Sequence, residues 1–292
     1  ASVHRAYLAA GADLIETNTF GANRFRLEQQ GLGDQVVAIN KRAAKIAREE
    51  REISGHSTII AGAIGSTMRS LEPFGVTTRA EVRAAFREQI DALLEGGVDC
   101  LIFETFGNID ELEEGLMAAR EACDLPIIAM MTFAEDGVTI GGSSVADVVE
   151  RLAPFRIDVL GANCSVGPSK LLNVMKSMRG RLKERGDVPP LACMPNAGWP
   201  THSGGRVIYP STPEYFADFA RQAVASGIQL IGGCCGTTPE HIRAMRAALD
   251  EAVGEVATNG HRAPRESRAS TLLEIAAEDR PTHLARELGQ KF

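Results

Sequence analysis

Short runs that are apolar along their whole length alternate with longer amphipathic segments through most of this chain. Residues 58–64, 126–132 and 190–195 are three such runs. Four others share one layout, in which a helix-ending glycine leads into an apolar strand and then a polar loop. Gly11-Ala12-Asp13-Leu14-Ile15-Glu16-Thr17-Asn18 is the first copy and Gly97-Val98-Asp99-Cys100-Leu101-Ile102-Phe103-Glu104-Thr105 the second. Gly227-Ile228-Gln229-Leu230-Ile231-Gly232 repeats it, and Arg156-Ile157-Asp158-Val159-Leu160-Gly161 repeats it without the leading glycine. A strand that is apolar on both faces belongs in a parallel sheet covered by helices. The intervening segments supply those helices. Over 78–96, Val82, Phe86, Ile90, Leu93 and Leu94 form one apolar face behind a Thr78/Glu81 capping box. Residues 110–122, 146–152, 170–183, 213–226 and 239–253 behave similarly, and the chain opens inside a helix over 2–10.

Seven strands, with a helix ahead of the first, predict an α/β (β/α)8 TIM barrel whose first strand is missing from this chain. An open doubly wound sheet is the competing architecture. It fits less well, because a polar, Gly-rich loop follows every strand, as around a barrel's catalytic rim. The barrel is expected to occupy 1–253. From 254 to 270 the composition turns polar and charged, and 271–292 carries weak helical patterning through Leu272, Leu273, Ile275, Leu284 and Leu288. Residues 254–292 therefore read as a linker and the start of a following domain.

The chain has 292 residues, of which 44% are hydrophobic, enough for one large core. A net charge of −7 argues against nucleic acid or an anionic membrane surface as a partner. No apolar run approaches a membrane span and no signal peptide is visible, so a cytoplasmic enzyme is expected.

The six cysteines change the picture. They are too few for a disulfide framework at this length, which leaves metal ligands, catalytic thiols or apolar fillers. In Leu230-Ile231-Gly232-Gly233-Cys234-Cys235-Gly236-Thr237-Thr238-Pro239-Glu240 an apolar run delivers two thiols, and a helix then starts with Pro239 in its first turn. Cys164, in Gly161-Ala162-Asn163-Cys164-Ser165-Val166-Gly167-Pro168, also stands where a strand breaks into a Gly/Pro loop. Adjacent side chains on a regular strand face opposite ways. Cys234 and Cys235 can thus share an ion only where the backbone leaves strand geometry, which the flanking glycines allow.

Barrel strands expose their carboxyl ends to one rim, where three converging thiolates suit Zn2+ with a fourth position left open. If the incoming ligand is a substrate thiol, the site generates a thiolate nucleophile. Cys100, Cys123 and Cys193 read as fillers. Two other readings of the rim are a phosphate cradle on Gly232, Gly233 and Gly236 at a helix N-terminus, and a non-catalytic barrel whose structural zinc site is closed by His202.

Three motifs carry a family resemblance: Glu16-Thr17-Asn18-Thr19-Phe20, Gly161-Ala162-Asn163-Cys164 and Gly232-Gly233-Cys234-Cys235-Gly236. Through them, over residues 2–252, the chain resembles the zinc-dependent homocysteine S-methyltransferase family. Segments 66–75, 195–198 and 209–216 are most similar to the N-terminal barrel of bacterial proteins that fuse it to a methylenetetrahydrofolate reductase. The resemblance implies zinc on Cys164, Cys234 and Cys235 and methylation of the homocysteine thiol to give methionine. It also implies that Glu104 binds the homocysteine amino group, with Asn18, Thr19 and Asn163 as further substrate contacts. The expected methyl donor is methyltetrahydrofolate, S-methylmethionine or a similar compound, and a fused reductase domain is an expected partner. A related expectation is the homocysteine-binding module of a cobalamin-dependent methionine synthase. Family members also carry an Asp-Gly-Ala-Met-Gly-like segment on their first strand. No counterpart occurs here, so the resemblance is to an N-terminally truncated member.

Overall fold

The computed structural model describes residues 1–203 and 205–259. A helix, α1 (Ser2–Ala9), leads into β1 (Leu14–Glu16). After α2 (Arg24–Glu28) and α3 (Val36–Ser54) the chain alternates through β2 (Ile59–Ile64), α4 (Arg79–Gly96), β3 (Cys100–Phe106), α5 (Ile109–Ala122), β4 (Ile127–Met131), α6 (Val145–Leu152), β5 (Val159–Asn163), α7 (Pro168–Arg185) and β6 (Leu191–Met194). A two-stranded hairpin, β7 (Thr201–Ser203) with β8 (Arg206–Ile208), interrupts the alternation before α8 (Pro213–Ala225), β9 (Leu230–Ile231) and α9 (Pro239–Asn259). The capping box on α4 is present, with the Thr78 hydroxyl accepting from the Glu81 amide and the Glu81 carboxylate accepting from the Thr78 amide.

All seven predicted strands pair in parallel in the order β1-β2-β3-β4-β5-β6-β9. The order never reverses, so there is no topological switch point and the doubly wound alternative is excluded. Side-chain alternation divides the sheet into an inside and an outside. Ala61, Ala63, Cys100, Ile102, Ile128, Met130, Ala192 and Met194 pack together on the inner face. Ile60, Ile64, Leu101, Phe103, Ile127, Ala129 and Cys193 face the helices. Apolar side chains on both faces let the sheet curl around a filled interior with its helices outside.

The two ends of the sheet approach each other. Arg246 on α9 donates to Asp13 just before β1 at 2.7 Å, and the Tyr7 hydroxyl of α1 donates to the Thr237 carbonyl at 3.0 Å. β1 and β9 are nonetheless the two edges of the sheet, and the seam between them is open among the described residues. The result is a curled, seven-stranded sheet of TIM-barrel type. The predicted last helix runs past 253 to Asn259, and the remainder of the expected linker, 260–292, lies outside the described residues. No helix among the described residues is long and apolar enough to cross a membrane.

The inner face has no room at Gly161. A Cβ there would lie 2.3 Å from the Ala192 carbonyl oxygen, which is backbone of the neighbouring strand and cannot turn aside. Gly161→Ala is expected to destabilise the fold by about 3 kcal/mol through overpacking, read as a lowered midpoint in urea unfolding at unchanged m-value.

Candidate functional site

Two loops carry the trio, one with Cys164 after β5 and one with Cys234 and Cys235 after β9, and a third loop ties them together. After β5 the backbone turns through φ of +64° at Cys164 and +62° at Ser165, a conformation that costs non-glycine residues energy and tends to persist at functional sites. The Cys164 amide donates to the Met194 carbonyl at 3.0 Å, and the Asn196 amide to the Val166 carbonyl at 3.1 Å. On the other side, the Cys234 amide donates to the Pro195 carbonyl at 2.8 Å, and the Ala197 amide to the Cys235 carbonyl at 2.9 Å. The buried Asn196 side chain completes the stitch by accepting from the Cys235 amide at 3.1 Å. Residues 195–197, the loop after β6, thus hold the two distant cysteine segments in register. Asn196 was not singled out from sequence. Its only signal there was a polar residue in a Pro/Gly loop at a strand end.

The Cys164 and Cys235 sulfurs lie 3.7 Å apart, those of Cys234 and Cys235 4.0 Å apart, and all three fall within 4.8 Å of one another. A tetrahedral ion with bonds of ~2.3 Å to sulfur sets its ligands about 3.8 Å apart, so both the donor set and its spacing fit zinc. Among the described residues no fourth cysteine, histidine or carboxylate joins the cluster. His202 belongs to β7, but its side chain lies outside the described residues. Hydrogen bonds from the Cys164 and Cys234 thiols push the Cys235 thiol far below its ordinary value, while contact with Cys164 and Cys235 pushes Cys234 up. Cys100 and Cys193 are core fillers, buried with their thiols pushed up by desolvation.

Next to the sulfurs stands a carboxylate region organised by Asn163. This side chain is 1% exposed, and its amide oxygen accepts from the Thr105 amide at 2.8 Å. Its nitrogen donates to the Thr105 hydroxyl at 2.7 Å and reaches Cys234 Sγ at 3.8 Å and Glu104 Oε2 at 3.5 Å. Asn163 therefore joins the sulfur cluster to Glu104. Burial, with the neighbouring Glu16 next in effect, pushes the Glu104 carboxyl up to about 9. Burial pushes Glu16 up as well.

Both carboxyls line a cleft of 760 Å³ that follows the open seam between β1 and β9, with Asn18, Asn163 and Cys234 also on its wall. Thr19 is not on that wall. Its hydroxyl is buried, donating to the Ala63 carbonyl at 2.7 Å and paired with the Thr17 hydroxyl at 2.6 Å, which fixes the loop after β1 to β2.

The sequence profile described as Homocysteine S-methyltransferase matches residues 1–249. The chain belongs to the homocysteine S-methyltransferase family. Among its relatives, the methionine synthase of Mycobacterium leprae is 31% identical over 85% of this chain, and that of Mycobacterium tuberculosis is 30% identical over the same share. The match covers 21% of the length of either relative, so this homocysteine S-methyltransferase chain corresponds to about a fifth of those proteins. The structure is similar to the metallated form of the homocysteine methyltransferase MmuM from Escherichia coli. The TM-score is 0.69 at 25% identity, over 84% of this chain and 83% of the other. The oxidised form of the same protein gives a TM-score of 0.68.

Proposed function

We propose that this chain binds zinc through Cys164, Cys234 and Cys235 and methylates homocysteine to methionine. The observation that carries this reading is the convergence of three sulfurs within 4.8 Å, one of them, Cys234, on the wall of a cleft that also presents carboxyls. Family membership and the metallated MmuM neighbour support it. Bound to the trio, zinc supplies acidity to a substrate thiol, bringing its pKa from roughly 8.5 toward neutrality. The protein's own contribution is position and charge. Asn163 and Asn196 hold the cysteine loops at fixed spacing, and Glu104 offers a carboxyl to the substrate's amino group a short distance from the sulfurs. Holding two reactants in line contributes on the order of 7–11 kcal/mol in favourable cases.

The methyl donor is a one-carbon carrier such as methyltetrahydrofolate, reached directly or through cobalamin, or a sulfonium such as S-methylmethionine. A quaternary ammonium donor such as betaine is disfavoured, because such cations are held by aromatic cages and Tyr7 is the sole Phe, Tyr or Trp among the cleft residues.

Zinc-loaded protein is expected to bind L-homocysteine in calorimetric titration, and chelator-stripped protein to lose at least about tenfold in affinity, a difference of ~1.4 kcal/mol. Equal affinity in the two forms would remove the metal from the reading.

A further inference from the structure

Glu16 has no role in the site as assembled so far, yet the fold gives it an unusual position. Leu14 and Glu16 alternate with Ile15, which packs outward against the helices, so the Glu16 side chain turns to the inside of the sheet. Cys100 and Ile102 set the same inward register on β3, and Glu104 follows them. Between β1 and β3 lies β2, whose inward residues are Ala61 and Ala63, too short to separate two glutamates. Both carboxyls consequently turn to the same side of the sheet, on either side of β2, and line the same cleft.

An isolated pair of carboxyls inside an otherwise apolar sheet is costly unless a cation or a proton sits with it. The cleft's own basic side chains are spoken for or neutral. Arg246 is tied to Asp13 and Asp250, and His4 on α1 is pushed toward its neutral form by burial. The surroundings therefore favour a cation brought by the ligand, beside a place where sulfur binds.

We propose that Glu16 is a second carboxylate for the substrate's ammonium group, acting with Glu104 to make the cleft selective for amino-acid thiols over thiols that lack the amino group. This rests on the thiol-binding reading above and goes beyond it by assigning the source of selectivity. Charge-assisted hydrogen bonds of this kind are about twice as strong as neutral ones, and losing one corresponds to roughly 10- to 100-fold in affinity.

The test is titration of the zinc-loaded protein with L-homocysteine and with 4-mercaptobutanoate, the same skeleton without its amino group. The unaltered protein is expected to prefer homocysteine by more than about tenfold, and Glu16→Gln to lose at least about tenfold of that preference. Affinity for 4-mercaptobutanoate and the zinc content should stay the same. Glu16→Leu, which removes the carboxyl and needs no polar partner, serves as the second variant should Glu16→Gln fold poorly. Unchanged preference in the variants, or an equal loss of both thiols, overturns the assignment. If the unaltered protein binds neither thiol, the thiol-binding reading fails and this one with it, and that outcome is visible before any variant is made.

Discussion

Cys235→Ala is expected to release the metal and, with it, homocysteine. Apparent zinc affinities of about 10–16 kcal/mol in four-ligand sites correspond to roughly 3 kcal/mol per ligand, or about 100-fold per lost sulfur. In this protein the loss should exceed that figure. Cys235 is the sulfur within 4.0 Å of both others, so its removal leaves a pair already held apart by their own loops. Misfolding is not a competing explanation, because Cys235 is exposed and its backbone contacts, an amide on Asn196 and a carbonyl on Ala197, survive the change to alanine. Metal content after gel filtration, circular dichroism and homocysteine titration together check the result. A variant that retains stoichiometric zinc and binds homocysteine normally would take Cys235 out of the site.

The second large effect concerns Glu104 and pH. In the ligand-free protein its carboxyl is pushed up to about 9 from an ordinary 4.5, first by burial and then by Glu16. The folded state therefore holds a proton that the unfolded chain gives up. The stability associated with that proton is fully present below pH 4.5 and is lost progressively as pH rises toward 9. Glu104→Gln keeps the shape and removes the titration. At ~1.4 kcal/mol for each pH unit above 4.5, it is expected to stabilise the ligand-free protein by less than about 1 kcal/mol at pH 5 and by about 5 kcal/mol at pH 8.5. The latter is a rise in Tm of roughly 10–20 °C for a domain of this size, while homocysteine affinity falls by about 100-fold. Thermal scans of both proteins at the two pH values measure the gap. A gap that is the same at both pH values would contradict the account.

These two effects draw on different amounts of what the sequence made visible. The strands were legible because each is a short run apolar on both faces, and all seven form. Cys164, Cys234 and Cys235 were legible as a set because thiols in Gly-rich loops at strand ends have no packing reason to be there. The geometry that brings them together was less so. The flanking glycines suggested that the backbone departs from strand geometry around Cys234 and Cys235. Gly236 does take a left-handed φ of +80°, and a second left-handed turn lies at Cys164 and Ser165, neither of them glycine. Asn196 was hidden because its role is to tie two loops that are adjacent only in space. The β7–β8 hairpin was hidden because its strands, Thr201-His202-Ser203 and Arg206-Val207-Ile208, are short and mostly polar and form no apolar run.

Position within the loop after β1 shows the same division. Thr19 and Asn18 looked alike as polar residues following a strand. Burial separates them, since Thr19 turns back onto Ala63 while Asn18 stays exposed at the cleft. The partnership of Glu16 with Glu104 required the register of three strands, which no spacing along the chain could supply. In each case the missing information was a pairing between residues far apart in sequence, set by tertiary packing rather than by local propensity.

X-ray absorption at the zinc edge, recorded on the zinc-loaded protein before and after homocysteine is added, tests the central claim most directly. Three sulfurs and one lighter atom around the metal should become four sulfurs, all at ~2.3 Å. A sulfur count that stays the same when homocysteine is bound would contradict the assignment of the trio as the thiol-activating centre.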